Sequence, residues 1–247
     1  MNQSLTVIIP AFNEEGNLEN AVGSVLGAVD GLFSSYEILI VDDGSMDATG
    51  KIADRLASLN PHIKVAHNPR NQGVGFTLRK GIELASKDYI TVFPGDNGIE
   101  GKSLRDMSAQ IGQADLIIPY TANPGDRNSL RQFLSCGFTV IMNSLFGLNL
   151  KYYNGPTIFR CNLIKALAIS NSSYAFLAEA LVRLIKAGST YTETPMVIRQ
   201  RLRGESKAFR LKNVRDVAMT LLRLLWDVRI KRIGQKALHR KLETLSR

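Results

Sequence analysis

The stretch YEILIVDDGS, residues 36–45, decides the fold class of this 247-residue chain. Its apolar run, residues 38–41, ends abruptly in two aspartates, a glycine and a serine. A short run that is apolar throughout is typical of a strand buried on both faces of a parallel sheet, whereas aspartate, glycine and serine are turn formers. The stretch therefore predicts a buried strand whose carboxyl end opens into a polar loop.

The same pattern recurs on either side of this stretch. The other apolar runs are LTVIIPAF (5–12), HIKVAHN (62–68), DYITVFPGD (88–96) and ADLIIPYT (114–121). The first three intervening segments have the apolar spacing of helices, as in NLENAVGSVLGAV (17–29). This alternation predicts an α/β fold in which a mainly parallel, Rossmann-like sheet carries helices on both faces. Ligands of such sheets bind beyond the carboxyl ends of the strands.

The second half of the chain is more helical. The apolar segment FLSCGFTVIMNSLFGLNL (133–150) predicts a helix that is either buried in the core or lies beside a lipid surface, since its interruptions argue against a membrane span. The segment NVRDVAMTLLRLLWDVRIKRI (213–233) predicts a basic amphipathic helix, suited to a membrane interface or to packing against the body. We therefore divide the chain into a domain over residues 1–210 and a basic helical tail over residues 211–247.

The excess of positive over negative charge is confined to the C-terminal fifth of the protein. Residues 199–247 contain 15 lysines and arginines against 4 acidic residues, a net charge of +11. Residues 1–198 contain 16 against 18, a net charge of −2. A basic tail on a near-neutral body predicts an anionic partner, which could be nucleic acid, acidic lipid or a phosphorylated substrate. The tail lacks the interleaved aromatic residues of single-strand binders, so nucleic acid is disfavoured.

Cysteine usage and the N-terminus indicate the compartment. Cys136 and Cys161 lack CxxC spacing, so neither a zinc site nor a disulfide framework is predicted. The first residues reach an apolar run without the basic segment of a signal peptide. We expect a cytoplasmic protein.

Three motifs at the predicted strand ends could carry chemistry. The adjacent carboxylates Asp42 and Asp43 suit contacts to a base or ribose, although an ordinary turn and helix cap is the alternative. Gly73 and Gly75 open a helix whose backbone amides could approach a phosphate, although such glycines are common at loop-to-helix junctions. Asp96 follows a Pro-Gly turn, where a carboxylate could hold a divalent cation or simply bond backbone amides.

Taken together and in this order, several blocks resemble the family 2 glycosyltransferases. The blocks are VIIPAFNEEGNL (7–18), EILIVDDGSMDAT (37–49), NPRNQGVGFTLRKGIELASKDYITVFPGD (68–96), AEALVRLIKAG (178–188) and RLRGESK (201–207). Within that family they are most similar to the dolichol-phosphate mannosyltransferase-like branch, which moves a sugar from a nucleotide to a polyprenyl or dolichyl phosphate. The resemblance spans residues 4–210 and implies a GT-A fold, a UDP- or GDP-sugar donor and inversion at the anomeric carbon.

The resemblance also implies roles for single residues. A nucleotide-sugar site is implied for Pro10, Phe12, Glu14, Asp42, Asp43, Gly73, Gly75, Arg79, Gly95 and Asp96. An acceptor-phosphate site is implied for Arg131, Arg201, Arg203, Ser206 and Lys207. Catalytic roles are implied for Asp96 and Glu179, and for Glu179 an ordinary pairing with Arg183 four residues later is the alternative.

The metal motif departs from the family pattern. The Asp-x-Asp of the family aligns with Pro94, Gly95 and Asp96, so a proline replaces the first aspartate. Because proline cannot ligate a metal, Asp96 is predicted to hold Mg²⁺ or Mn²⁺ with water and diphosphate oxygens, with Asn97 or Glu100 as further candidates. We expect a retained but weaker metal dependence.

The acceptor side departs as well, because the usual Gly-Ser-Arg after the middle strand is Pro119, Tyr120 and Thr121. The sugar, the acceptor or both can therefore differ from those of relatives.

We accordingly expect a metal-dependent inverting glycosyltransferase of the cell envelope. Its expected partners are a nucleotide sugar, a polyprenyl or dolichyl phosphate and the anionic inner face of a membrane, where it binds peripherally; homo-oligomers are compatible with the sequence. One alternative is a transferase of the same fold that uses the hydroxyl of a saccharide or lipid-linked glycan, which needs a general base. A second is a non-catalytic nucleotide-sugar-binding protein, suggested by Pro94.

Overall fold

A computed structural model of the protein describes residues 3–126, 129–167, 169, 175–199 and 219–230. Within these ranges seven strands form one sheet. The strands are β1 (Leu5–Ala11), β2 (Tyr36–Asp42), β3 (Ile63–His67), β4 (Tyr89–Val92), β5 (Leu116–Thr121), β6 (Ile158–Arg160) and β7 (Tyr191–Met196). The helices are α1 (Leu18–Val29), α2 (Thr49–Leu59), α3 (Val74–Leu84), α4 (Gly101–Ser108), α5 (Ser129–Phe146), α6 (Cys161–Ala166) and α7 (Phe176–Lys186).

The sheet is mainly parallel, as predicted. Its order is β3-β2-β1-β4-β6-β5-β7. All neighbouring pairs are parallel except those of β6, which runs against both β4 and β5. The sequence does not predict β6, which has three residues, or β7, which is largely polar, because neither contains the apolar run of a buried strand. Two reversals at β6 leave β5 and β7 parallel to β1, so the carboxyl ends of β1, β2, β4, β5 and β7 lie at one edge.

Helices cover both faces of the sheet, and two buried clusters fill the space between them. On one face Val7 and Ile9 of β1 join the apolar sides of α1 and α4. On the other face Ile8 joins residues of α3, α5, α6 and α7. A Cβ on Gly81 of α3 would lie 2.6 Å from the Ile8 side chain, so the glycine permits the close packing of α3 on β1. The predicted two-faced α/β architecture is confirmed.

Helix α5 is buried on one side only. Met142 and Phe146 lie in the core, whereas Phe133 is 75% exposed and Ile141 is 51% exposed. Asn143 fixes the following loop, because its side chain accepts the Leu150 N–H and donates to the Leu150 carbonyl. The prediction of a helix buried in the core is therefore confirmed for one side of α5 and wrong for the other. Large apolar side chains face solvent along one side of α5.

Residues 219–230 form a helical segment whose last turn, Trp226–Ile230, widens to π geometry. Leu224 and Val228 are buried in the core cluster of the α7 face, and Asp227 accepts a hydrogen bond from Arg183 of α7 at 3.0 Å. The described part of the predicted basic helix therefore packs against the body. Its outer side exposes Met219, Leu222 and Trp226. The predicted domain boundary at residue 210 lies outside the described residues.

The length and hydropathy of a helix decide whether it could cross a membrane. Among the described residues, none of the helices combines the length and the hydropathy that a bilayer crossing requires.

Candidate active site

The site is built on the carboxyl ends of β1, β2 and β4. Ala11 pairs in register with Asp42, and the Asp43 N–H donates to the Ala11 carbonyl at 2.8 Å. The Phe93 N–H continues the β4 ladder by donating to the Ile8 carbonyl at 2.8 Å. This pairing brings the loops that follow the three strands to one edge, which is where a parallel sheet binds its ligands.

The first two loops are joined by reciprocal hydrogen bonds. The Asn13 N–H donates to Ser45 Oγ at 3.0 Å, and the Met46 N–H donates to Asn13 Oδ1 at 2.9 Å. The Glu14 N–H donates to Thr49 Oγ1 at 2.7 Å. Asn13 has a φ of 56°, a left-handed conformation that asparagine tolerates better than most residues. Phe12 and Glu14, which are predicted for the nucleotide-sugar site, thus lie half-buried on a loop with a fixed shape.

The Asp43 side chain bonds the loop between β3 and α3. Its carboxylate is 4% exposed and accepts hydrogen bonds from Asn68 Nδ2 at 2.7 Å, the Gln72 N–H at 2.9 Å and the Gly73 N–H at 2.8 Å. An anion at a helix N-terminus is stabilised by the unpaired amides there. In this structure the anion at the start of α3 is Asp43, so the Gly73 amide that we predicted for a phosphate already has an acidic acceptor.

Asp42 is held from two directions. It is 5% exposed, and its Oδ1 accepts the Ser45 N–H at 3.0 Å. Its Oδ2 lies 2.9 Å from Nδ1 of His67, the residue paired with it in register on β3. His67 Nε2 lies 3.0 Å from Asp54 Oδ1 on α2. Hydrogen bonds to Asp42 and Asp54 raise the pKa of His67 above its ordinary value. Sequence analysis does not select His67, because it lies 25 residues from Asp42 along the chain.

The turn that carries Asp96 is tight. The Asn97 N–H donates to the Pro94 carbonyl at 3.1 Å, and the Gly98 N–H donates to Asp96 Oδ1 at 3.0 Å. Gly95 is needed because a Cβ there would lie 2.8 Å from the Pro10 carbonyl oxygen. Asn97 has a φ of 54°, and its Oδ1 is buried without a hydrogen-bond partner. A buried amide oxygen beside a carboxylate is a donor set that suits a hard cation.

The metal would need other ligands too. In the part of the chain that the structure describes, no three His, Cys, Asp or Glu side chains form a ready-made metal cage. Mg²⁺ usually takes one or two protein carboxylates and completes its shell with water and substrate phosphates. The side chains of Asp96 and Asn97 fit that pattern.

The segment after β7 returns to this turn. The Arg199 N–H donates to the Gly98 carbonyl at 3.0 Å, and Ile198 forms an antiparallel bridge with Ile99. Asn123, at the end of β5, bonds both the N–H and the carbonyl of Ile198 at 2.9 Å. The chain that leads into the predicted acceptor-phosphate segment is therefore fixed two residues from Asp96.

A cation also lies at the end of β5. Lys151 Nζ stands 4.1 Å from the ring centre of Tyr120, one of the residues that replace the family's Gly-Ser-Arg. Sequence analysis missed Lys151 because it lies in a different loop, far along the chain from Tyr120.

Two predicted residues contact neighbours on helices. Arg79 lines a pocket with residues of α6 and α7, and its guanidinium carbon lies 5.4 Å from the ring centre of Phe76. Glu179 is 6% exposed in α7, where its Oε1 accepts a hydrogen bond from Arg183 Nε at 2.7 Å. The structure thus contains the i, i+4 pairing stated above as the alternative for Glu179.

The remaining predicted residues are less completely placed. Pro10 is the penultimate residue of β1, and Gly75 is buried in the first turn of α3. Arg131 lies on α5, but its side chain is outside the description. The predicted acceptor-phosphate residues Arg201, Arg203, Ser206 and Lys207 lie outside the described residues.

Comparison with known proteins agrees with this arrangement. The chain is 28% identical over 212 residues to the undecaprenyl-phosphate mannosyltransferase of Micrococcus luteus, an alignment that covers 81% of this chain and 85% of that protein. It is 30% identical over 219 residues to the polyprenol monophosphomannose synthase of Mycolicibacterium smegmatis, covering 83% of this chain and 81% of that one.

A solved structure shares the fold. The glucosyl-3-phosphoglycerate synthase of Mycobacterium tuberculosis, crystallised with Mn²⁺, UDP and glucosyl-3-phosphoglycerate, superposes with a TM-score of 0.71. The match has 20% identity and covers 90% of this chain and 80% of that one. Another crystal of that synthase contains Mg²⁺ and UDP. The likeness confirms the predicted GT-A fold. The family model described as Glycosyl transferase family 2 matches residues 6–167, more than half of the sequence, and the chain belongs to glycosyltransferase family 2.

Proposed function

We propose that the protein transfers a sugar from a UDP or GDP donor to a polyprenyl or dolichyl phosphate, with inversion at the anomeric carbon. One observation carries the proposal: the backbone pairing of Arg199 with Gly98. The pairing fixes Arg199 at the turn that carries Asp96, and the predicted phosphate-binding segment, residues 201–207, follows two residues later in the sequence. Cations for an acceptor phosphate would then adjoin the carboxylate proposed to hold the donor diphosphate.

The donor would lie across the ends of β1, β2 and β4. We assign its base to the joined loops that contain Pro10, Phe12 and Glu14, next to the end of β2 at Asp42. The diphosphate would extend toward Asp96 and Asn97, whose oxygens would hold Mg²⁺ or Mn²⁺. When bound, that cation would neutralise the negative charge that develops on the leaving diphosphate.

The acceptor phosphate would be the nucleophile. One of its oxygens attacks the anomeric carbon from the side opposite the diphosphate, the bond from that carbon to the diphosphate oxygen breaks, and the nucleoside diphosphate leaves. A phosphate monoester is already anionic near neutral pH, so the chain's task is to position it and to neutralise its charge. Arg201, Arg203 and Lys207 are the cations proposed for that task, with Lys151 as a further candidate.

The burial of Glu179 and its hydrogen bond to Arg183 favour a phosphate acceptor over a hydroxyl acceptor. A hydroxyl acceptor needs a general base within hydrogen-bond reach. Glu179 is the carboxylate that the family resemblance offers for this role, yet it is buried and bonded to Arg183. We therefore propose that Glu179 supports α7 and the helical segment 219–230, to which Arg183 also bonds through Asp227.

The acceptor places the enzyme at a membrane. Helix α5 and the segment 219–230 both expose apolar side chains, and both contribute to the core cluster on the same face of the sheet. The basic residues of the tail add attraction to anionic lipid. We propose that the protein binds the cytoplasmic leaflet peripherally through this face, with the boundary between domain and tail near residue 210.

Release of nucleoside diphosphate tests the proposal. The protein would be incubated with liposomes that contain or lack undecaprenyl phosphate, with a panel of UDP- and GDP-sugars, in Mg²⁺, Mn²⁺ or EDTA. We expect release from one class of donor that requires both the lipid phosphate and the cation. Binding of a donor without release under every condition would contradict transfer and would support a non-catalytic nucleotide-sugar-binding protein.

A further inference from the structure

The contacts of His67 define a proton-dependent support for the donor site. Nδ1 lies 2.9 Å from Asp42 Oδ2, and Nε2 lies 3.0 Å from Asp54 Oδ1. Both distances are those of hydrogen bonds. An ionised carboxylate only accepts hydrogen bonds, and a neutral imidazole has only one N–H to donate. Both contacts are therefore satisfied together only when His67 carries a proton on each nitrogen.

The surroundings of this histidine support the charged form. Asp42 is buried, so its charge needs a partner, whereas Asp54 is 65% exposed in its side chain. The remaining charged group that meets His67 in the described structure is Lys80 of α3, whose Nζ donates to the His67 backbone carbonyl at 2.8 Å. Lys80 also donates to Asn68 Oδ1 at 2.8 Å, which fixes the start of the loop after β3.

Helix α2 is packed closely enough to keep the three side chains together. A Cβ on Gly50, in its first turn, would lie 3.1 Å from Asp42 Oδ2 and 3.5 Å from His67 Cε1. That contact is tighter than most, so a larger residue would require the Asp42 carboxylate to shift by a few tenths of an ångström. Gly50 and Asp54 are one turn apart and approach His67 from the same helix.

A chain of hydrogen bonds connects His67 to the first loop. Asp42 Oδ1 accepts the Ser45 N–H, and Ser45 Oγ accepts the Asn13 N–H. The Asn13 side chain in turn accepts the Met46 N–H. The imidazolium therefore orients a carboxylate that holds both loops proposed to contact the nucleoside.

We propose that His67, doubly protonated between Asp42 and Asp54, is a positioning residue for donor binding, and that its deprotonation weakens the affinity for the nucleotide. This inference rests on the proposed donor site. The sign follows from the direction of the pKa shift, since hydrogen bonds to Asp42 and Asp54 raise the pKa of His67 above 6.5. The support is present at and below pH 6.5 and is lost as the pH rises through the folded-state pKa.

The first measurement is the titration of the histidine itself. Two-dimensional NMR of the imidazole nitrogens distinguishes the imidazolium from both neutral tautomers, and the signal of His67 is assigned by its loss in His67→Gln. We expect a pKa above 6.5 for His67 and a lower pKa in Asp54→Asn, which removes one carboxylate without touching Asp42. A wild-type pKa at or below 6.5 overturns the inference, whether or not a nucleotide binds.

The second measurement is the affinity for UDP or GDP with Mg²⁺ by calorimetry, from about pH 5.5 to about pH 8.5. We expect the wild-type affinity to fall about tenfold more across this range than that of His67→Arg, whose charge is permanent. Because both proteins meet the same nucleotide, ionisation of its phosphates cancels in the comparison. Asp54→Asn should lose affinity at a lower pH than the wild type does.

The outcomes separate this inference from the proposed function. Nucleotide binding whose pH dependence is identical in the wild type, Asp54→Asn and His67→Arg would contradict the role of His67 and leave the donor site intact. Absence of nucleotide binding to the wild type at every pH would contradict both. His67→Gln should resemble the wild type at high pH, and its cooperative thermal unfolding serves as the control for folding.

Discussion

The two halves of the sheet edge, the one proposed to bind the donor and the one proposed to bind the acceptor, are held in different ways. In the donor half, at the ends of β1 and β2, several side chains bond neighbouring loops across the edge, among them Asn13, Asp43, Ser45 and Thr49. In the acceptor half α5 exposes Phe133 and Ile141 to solvent. A preorganised edge suits a small polar donor, because little entropy is lost on binding. An exposed apolar surface suits an acceptor that stays in a membrane.

The largest effect is expected from a substitution of Asp96. Asp96→Ala removes the carboxylate proposed to hold the cation and should lower kcat by about 10³-fold, the loss seen when a group that stabilises transition-state charge is removed. Nucleoside diphosphate release with saturating donor and lipid phosphate measures the effect. Asp106→Ala, on the exposed side of α4 where Asp106 pairs with Lys102, is the matched control. Equal rates for Asp96→Ala and the wild type would contradict the role assigned to Asp96.

The stability of the strands that form the donor half should depend on Glu37, which lies at the opposite end of β2. Glu37 is 2% exposed and accepts hydrogen bonds from Thr6, Lys64 and Ser86, so it joins β2 to β1, to β3 and to the segment before β4. Burial alone would raise the pKa of Glu37, but these hydrogen bonds lower it to about 2. Glu37→Gln should therefore lower the free energy of unfolding by about 3 kcal/mol at neutral pH.

The same shift predicts how the stability of the wild type depends on pH. Because the folded-state pKa of Glu37 is depressed, its contribution is present above pH 4.5 and is lost as the pH falls toward about 2. Urea unfolding of the wild type and Glu37→Gln at several pH values should show a difference that shrinks across this window. Glu83→Gln, at an exposed position of α3, is the control. A constant difference down to the lowest pH would show that the ionised form of Glu37 is not what stabilises the fold.

A smaller effect, on membrane binding, is expected from a substitution on the exposed apolar side of α5. Phe133→Ser should weaken binding to anionic vesicles about tenfold, since part of an aromatic side chain no longer leaves water. Leu59→Ser is the matched control, because Leu59 is 72% exposed but lies on α2, on the other face of the sheet. Trp226, the single tryptophan of the chain, is 50% exposed and reports binding through a blue shift of its fluorescence. Equal weakening by both substitutions would contradict a membrane-binding face.

The sequence predicts the donor half better than the acceptor half, and the reason is physical. Residues 36–45 contain both a buried strand and its turn, so local composition determines the element and its polar end. Gly81 and Gly95 each lie where a Cβ would contact β1, so glycine at these two positions permits close packing against that strand. The short β6 and the polar β7 lie outside the prediction, because they are stabilised by partners distant in sequence.

The residues of the candidate site also divide into those that the sequence predicts and those that it does not. The positions of Asp42, Asp43 and Asp96 at strand ends follow from the motifs that contain them. The contacts of His67 and Lys151 do not, because each depends on the register of one strand or loop against another. Nor does local sequence decide between the two predicted states of α5, because a helix with apolar residues on two sides is compatible with either burial or a lipid surface.

The most direct test of the account is the chemical identity of the product. The protein would be incubated with its donor and with either undecaprenyl phosphate or undecaprenol in identical liposomes, and the lipids would be analysed by mass spectrometry. The account predicts that a single sugar residue is added to the phosphate-bearing lipid and that the alcohol is unchanged. Glycosylated undecaprenol with unmodified undecaprenyl phosphate would contradict it and would identify a transferase that uses a hydroxyl acceptor.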